Sequence, residues 1–130
     1  DGDGRTDLAV FRRATGTWLV KRSSDGQYLV KAWGLATDVP VAADYDGDKK
    51  TDIAVWRGAE SNWYILNSAD DHVNIVSWGS SALNDVPSAG DYDGDGHADI
   101  TIWRPGESCW YIKLSRDGQL LLRTLAIQFE

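Results

Sequence analysis

Apolar residues run through the chain in short stretches, each cut off by Asp, Gly and Ser. "DIAVWR" is a compact apolar run. "NWYILNS" follows it after a Gly/Ser/Glu turn, and "VNIVSWG" alternates apolar and polar after a second turn at Asp70-Asp71. Runs of about four to seven residues, rich in β-branched and aromatic side chains and bounded by turn residues, predict strands. "VPSAGDY", residues 86–92, reads as a further strand that leads into an aspartate-rich loop, as does Val39–Tyr45. No window has apolar residues at helical spacing with caps, so essentially no helix is expected.

The same pattern returns three times. "DGDGRTDLAVFRRATGTWLV" from residue 1, "DGDKKTDIAVWRGAESNWYI" from residue 46 and "DGDGHADITIWRPGESCWYI" from residue 93 align without gaps, at offsets of 45 and then 47. Downstream, "SSDGQYLVKAWG" (23–34) matches "SADDHVNIVSWG" (68–79) and "SRDGQLLLRTLA" (115–126), and "DVP" recurs at 38–40 and 85–87. The two residues that separate the offsets fall in "GSSALNDVP" against "GLATDVP", an inter-strand loop. Four strands in a repeat of roughly 40–50 residues is the signature of a β-propeller blade. The predicted fold is therefore all-β, one array over residues 1–130 with units of about 1–38, 39–85 and 86–130. The units hold three, four and four antiparallel strands, because the first lacks its innermost strand.

Composition narrows the function. The net charge of −7 and pI near 4.7 leave no basic face for nucleic acid, and they suit an anionic membrane surface poorly. No apolar run approaches the ~18 residues of a membrane-spanning helix, so no membrane insertion is expected. The single cysteine, Cys109, excludes an intramolecular disulfide and reads as a small buried residue.

The acid is concentrated: 11 of the 20 Asp and Glu lie in three short clusters. In the third cluster Asp91, Asp93 and Asp95 take positions 1, 3 and 5 of a ladder. Gly96 is at 6, the His97 carbonyl at 7 and Asp99 at 9. Carboxylates at 1, 3 and 5, glycine at 6 and a carbonyl at 7 match the start of an EF-hand calcium loop. The Glu such a loop has at position 12 is missing: that position is Ile102, in a strand. A calcium-type loop on a strand–loop–strand corner is expected instead. The second cluster offers Asp44, Asp46, Asp48, the Lys50 carbonyl and Asp52, with Lys49 in place of the glycine. The first is incomplete: Asp1, Asp3, the Arg5 carbonyl and Asp7. Asp-Gly pairs also make ordinary turns, but a turn does not need four mutually repelling carboxylates at one spacing in successive units. Magnesium avoids dedicated protein cages and zinc wants His or Cys, so Ca2+ is the expected ion.

With D-x-D-G-D-G-x-x-D, an I-A-V-W-R-type strand, a T-W-Y-type strand and W-G…D-V-P in place, the chain resembles the FG-GAP/VCBS repeat family over nearly its whole length. The resemblance implies calcium-binding blades of an integrin-like propeller, found also in secreted bacterial proteins and lectins. It implies metal between the innermost strand and the next, with the ligands named above, and a secreted or extracellular location. Lys49, the truncated first loop and the loss of W-G…D-V-P after residue 124 depart from the pattern.

The repeated aromatics Phe11/Trp56/Trp103, Trp18/Trp63/Trp110 and Trp33/Trp78, with Leu125 in the third place, read as packing between units rather than sugar-stacking platforms. Arg12, Arg57 and Arg104 read as structural, pairing with carboxylates or lying across aromatic faces. His72 and His97 read as solvated loop residues. No phosphate loop, HExxH or nucleophile elbow is present.

The leading function is a non-catalytic calcium-binding module for adhesion or recognition of a glycan or extracellular protein. The alternative is a purely structural repeat fragment that assembles into a ring. A glycan-active enzyme is the least supported, because the acids outside the loops are few. Two open unit faces point to a homo-oligomer, with a homodimer closing a six-bladed ring favoured.

Overall fold

A computed structural model describes residues 1–124. The chain is all-β, with three antiparallel sheets. The first holds β1 (Leu8–Arg12), β2 (Thr17–Lys21) and β3 (Tyr28–Ala32). The second runs β4 (Val39–Pro40), β5 (Ile53–Arg57), β6 (Asn62–Leu66), β7 (Val73–Ser77). The third runs β8 (Val86–Pro87), β9 (Ile100–Arg104), β10 (Cys109–Lys113), β11 (Leu120–Thr124). Among the described residues helix is limited to two single 3-10 turns, Ser81–Leu83 and Pro105–Glu107.

The repeat fixes the hairpins locally. The β1–β2, β5–β6 and β9–β10 turns each place one residue in the left-handed region: Gly16, Ser61 and Ser108. Registers then coincide, with Phe11 opposite Trp18, Trp56 opposite Trp63 and Trp103 opposite Trp110. The innermost strands are shorter than expected. Val39–Tyr45 and Val86–Tyr92 pair only through two residues, followed by isolated bridges Ala43↔Asp52 and Gly90↔Asp99. Pro40 and Pro87 have no N–H to give the ladder.

The main core lies between the second and third sheets: Val41, Ala54, Trp56, Trp63 and Ile65 face Ile100 and Ile102. Trp63 is fully buried, and removing so large a side chain costs about 3–5 kcal/mol.

The contact between consecutive units occurs twice in the same form. The Trp33 indole donates to the Tyr64 carbonyl at 3.0 Å, and the Trp78 indole to the Tyr111 carbonyl at 3.2 Å. A Cβ on Gly34 would meet Val55 Cγ1 at 3.0 Å, and one on Gly79 would meet Ile102 Cγ2 at 3.0 Å; both glycines also have positive φ. The Trp-Gly dipeptide thus supplies a donor and a close approach together. Arg57 forks onto Asp38 at 2.9 and 3.0 Å, and Arg104 onto Asp85 at 2.8 and 2.9 Å. Each guanidinium lies over a ring, Tyr64 at 4.5 Å or Tyr111 at 4.3 Å.

The repeated tryptophans do pack: Trp18, Trp56 and Trp63 are buried. Leu125 lies outside the described residues. Cys109 is buried and unpaired, as expected.

Candidate metal-binding loops

Each aspartate cluster occupies the corner before a long strand, β1, β5 or β9. The corners hold their shape through carboxylate-to-backbone bonds two residues ahead. In the third loop the Asp95 amide donates to Asp93 Oδ1 at 3.3 Å and the His97 amide to Asp95 Oδ1 at 2.9 Å. In the second, the Asp48 and Lys50 amides donate to Asp46 and Asp48 Oδ1 at 3.1 and 2.8 Å. Alternate aspartates therefore spend one oxygen on the turn and leave the other free of it. The position-1 residues are tied more fully: Asp91 accepts from the Gly94, Asp95 and Gly96 amides, and Asp44 from those of Gly47 and Lys49.

The position-9 aspartates are keystones. Asp52 and Asp99 are both fully buried. Asp52 accepts from Tyr45 and Ser68 amides at 2.9 and 2.8 Å, and Asp99 from Tyr92 and Ser115 amides at 2.8 and 2.9 Å. Each clamps its loop to the distant hairpin of its own unit. Lys49 takes the left-handed conformation at φ 70°, matching Gly4 and Gly96.

The structure gathers three sets of carboxylate oxygens, each within 4.8 Å of one another: Asp1, Asp3 and Asp7; Asp44, Asp46 and Asp48; Asp91, Asp93 and Asp99. Asp52 and Asp95 fall outside these sets. The carbonyls of Arg5, Lys50 and His97 belong to residues on the same corners.

Of the three loops, the third has the donor set that best fits a hard cation. Asp93 Oδ2 is buried and accepts no hydrogen bond. The nearest cation is the mostly exposed Arg116, whose Nε stands 3.6 Å away, beyond hydrogen-bonding range. Burial, then the charges of Asp99 and Asp95, hold the Asp93 carboxyl above the usual range. Asp46 is raised in the same way, by burial first and then by Asp52 and Asp48. Asp91 is lowered, chiefly by the Gly96 amide. Crowded, raised carboxyls of this kind are relieved by an opposite charge. An all-oxygen donor set suits calcium.

The first loop differs. The Ser23 hydroxyl donates to Asp3 Oδ2 at 2.7 Å and the Ser24 hydroxyl to Asp1 Oδ2 at 2.6 Å. The Asp3 and Arg5 amides take the remaining oxygens of Asp1 and Asp3 at 3.1 and 2.9 Å. With these oxygens engaged, the loop's fit to a cation is weaker.

Three residues have roles that the sequence reading did not assign. Asp38 and Asp85, two of the few acids outside the loops, are buried beneath Arg57 and Arg104. The signal was available: Arg follows Asp by 19 residues in both units. His97, expected in solvent, bridges two loops. Its Nδ1 is 3.2 Å from the Tyr45 carbonyl, and its ring occupies the space a Cβ on Gly47 would need. His72 is exposed, as expected.

A cleft of about 220 Å³ lies beside His97, lined by Tyr45, Asn74, Val76, Lys113 and Ser115 among others. The model of the FG-GAP-like repeat matches residues 1–55 and 44–102. Comparison with curated proteins and with solved structures gave no match.

Proposed function

The chain belongs to the FG-GAP-like repeat family, and on that premise we propose that it is a calcium-binding β-propeller module of the cell exterior. Its three sheets are blades, and it serves adhesion or recognition of a glycan or protein without catalysis of its own. The observation that carries the calcium reading is Asp93 Oδ2, buried and without a donor among carboxylates. Asp91, Asp93 and Asp99 would hold the ion in the third loop, and Asp44, Asp46 and Asp48 in the second. Bound calcium would neutralise the crowded carboxylates and lock each corner to its strand.

The non-catalytic reading is supported by where the remaining acids go. Asp38 and Asp85 neutralise Arg57 and Arg104, while Glu60 and Glu107 accept from the Tyr64 and Tyr111 hydroxyls. These acids have structural partners rather than the paired environments that acid–base chemistry needs. The cleft beside His97, at about 220 Å³, is smaller than the ~300–1,000 Å³ of small-molecule pockets. That favours recognition by exposed loops over an enclosed site.

Calcium titration by calorimetry tests the reading, with melting followed in calcium and in chelator. Calcium that binds only the folded loops raises the melting temperature by mass action. Asp93→Ala should remove the third site from the isotherm. An unchanged melting temperature on chelation would overturn the metal assignment. A glycan array in calcium buffer tests recognition, and a protein that binds nothing there and no extracellular protein would be a scaffold only.

A further inference from the structure

The second and third loops touch through one short segment, His97–Ala98. It meets the second loop at Asp44, the position-1 ligand, and at Tyr45 and Gly47, the residues on either side of Asp46. The Ala98 amide donates to the Asp44 carbonyl at 2.7 Å. The His97 Nδ1 stands 3.2 Å from the Tyr45 carbonyl, and because a carbonyl only accepts, that nitrogen carries the proton. The imidazole lies against Gly47, where a Cβ would stand 2.6 Å from His97 Cε1.

The contact with Asp44 is made by a peptide unit with two working ends. Its N–H belongs to Ala98 and its C=O to His97, the position-7 oxygen of the third loop. The peptide is trans, so the two groups point in opposite directions. Holding the N–H on the second loop turns the His97 carbonyl away from that loop. A hydrogen bond at the N–H also polarises the C=O of the same unit, which makes that oxygen a better donor to a cation. The next residue, Asp99, is fully buried and accepts from the Ser115 amide, and it stands with Asp91 and Asp93 in the third carboxylate set. A shift of His97–Ala98 therefore reaches both the carbonyl and a carboxylate of the third loop. The junction between the first two loops has packing of another kind. Lys50, in the place of His97, lies over Gly2 through the carbons of its stem.

We propose that the second and third loops bind calcium as a coupled pair, with His97 as the positioning residue between them. This rests on the metal reading above and adds that an ion in either loop strengthens the other. An ion in the second loop would fix residues 44–48. The acceptors of the Ala98 amide and the His97 ring are then in place, and the third loop is ordered before its own ion arrives. The second ion has less ordering left to do, and linkage makes the effect reciprocal. Charge alone acts the other way, because two cations repel, so the strengthening has to come through contact.

Amide NMR on the whole chain during a calcium titration is the test. The Gly47 amide donates to Asp44 and the Gly96 amide to Asp91, so each reports its own loop. Asp46→Asn weakens the second site and should move the Gly96 midpoint to about fivefold higher calcium or more. Asp93→Asn should move the Gly47 midpoint upward by the same factor. Both substitutions also remove a negative charge, which by itself weakens a nearby cation site. His97→Ala separates the two causes. It keeps every carboxylate and the position-7 carbonyl, so in this background the Asn substitutions remove the same charge, yet both shifts should largely vanish. If the alanine variant is unfolded by circular dichroism, His97→Leu gives the same comparison, since it fills the space without a donor. Shifts of undiminished size in the His97 variant would assign the effect to charge and overturn the proposal. Midpoints that stay put when the other loop is disabled would overturn it too, while leaving the metal reading intact. A wild-type chain in which neither glycine amide responds to calcium would overturn both readings together.

Discussion

β1 and β5 have nearly the same sequence, LAVFR and IAVWR, the same register to their neighbours and opposite surroundings. Ala9 and Val10 are exposed, whereas Ala54 and Val55 are fully buried. The strands form alike because hairpin turns and β-propensity are local. Burial differs because it is conferred by the neighbouring unit, which β5 has on both sides and β1 on one. A repeat unit of this kind is a complete strand assembly and an incomplete core.

The sharpest test places the same charge on both strands. Val55→Asp puts a carboxylate against Gly34 with no cation in place, and an uncompensated buried charge of this sort costs roughly 3–5 kcal/mol. Val10→Asp should change monomer stability by less than about 0.5 kcal/mol. Urea unfolding, at concentrations too low for association, should separate the two clearly; equal losses would mean that the first sheet is covered as well.

Next comes the arginine pair. Arg57→Ala strands Asp38, which is fully buried, at a cost of about 3 kcal/mol. Arg12→Ala should fall within about 0.5 kcal/mol of wild type. Asp38 holds the Arg57 guanidinium above its ordinary range, so the guanidinium stays charged at neutral pH. Thermal melts of the two variants read the difference directly.

A smaller effect compares the second and third loops. Lys49→Gly relieves a left-handed lysine at φ 70° and should stabilise the chain by about 1 kcal/mol. Gly96→Lys, at φ 88°, should cost a similar amount. Melts in chelator report the strain alone; opposite signs are required.

The smallest effect is of interest for its direction. Burial and neighbouring carboxylates raise the Asp93 carboxyl in the metal-free protein. A raised folded value means that Asp93 destabilises the chain above it. That penalty disappears as pH falls through the raised value toward the unfolded one near 3.8. Asp93→Asn should therefore stabilise the chelated protein at neutral pH, with the gain vanishing in acid. In calcium the same variant should lose stability, because the ion reverses the sign. Melts at several pH values with and without chelator would show this crossing, and its absence would remove Asp93 from the metal set.

The strands, their number in each sheet, the near absence of helix and the three acidic corners were all legible in the sequence. The local features are written in short windows, alternation for strands and Asp, Gly and Ser for turns, and the units in an echo at 45 and then 47 residues. The need for a left-handed residue at Lys49 could be read from glycine at the same place in the neighbouring loops. Other features required the assembled chain. Only the structure seats His97 on Gly47, pairs Asp38 with Arg57 and Asp85 with Arg104, and turns Asp52 and Asp99 inward as clamps. It also groups Asp99 with Asp91 and Asp93 while leaving Asp95 apart, and decides that Val10 is bare and Val55 covered. Backbone conformation follows from sterics and hydrogen bonds between residues a few positions apart, so sequence carries it. Burial and partner choice arise between segments 16 or more residues apart, where identical local sequences meet different surroundings.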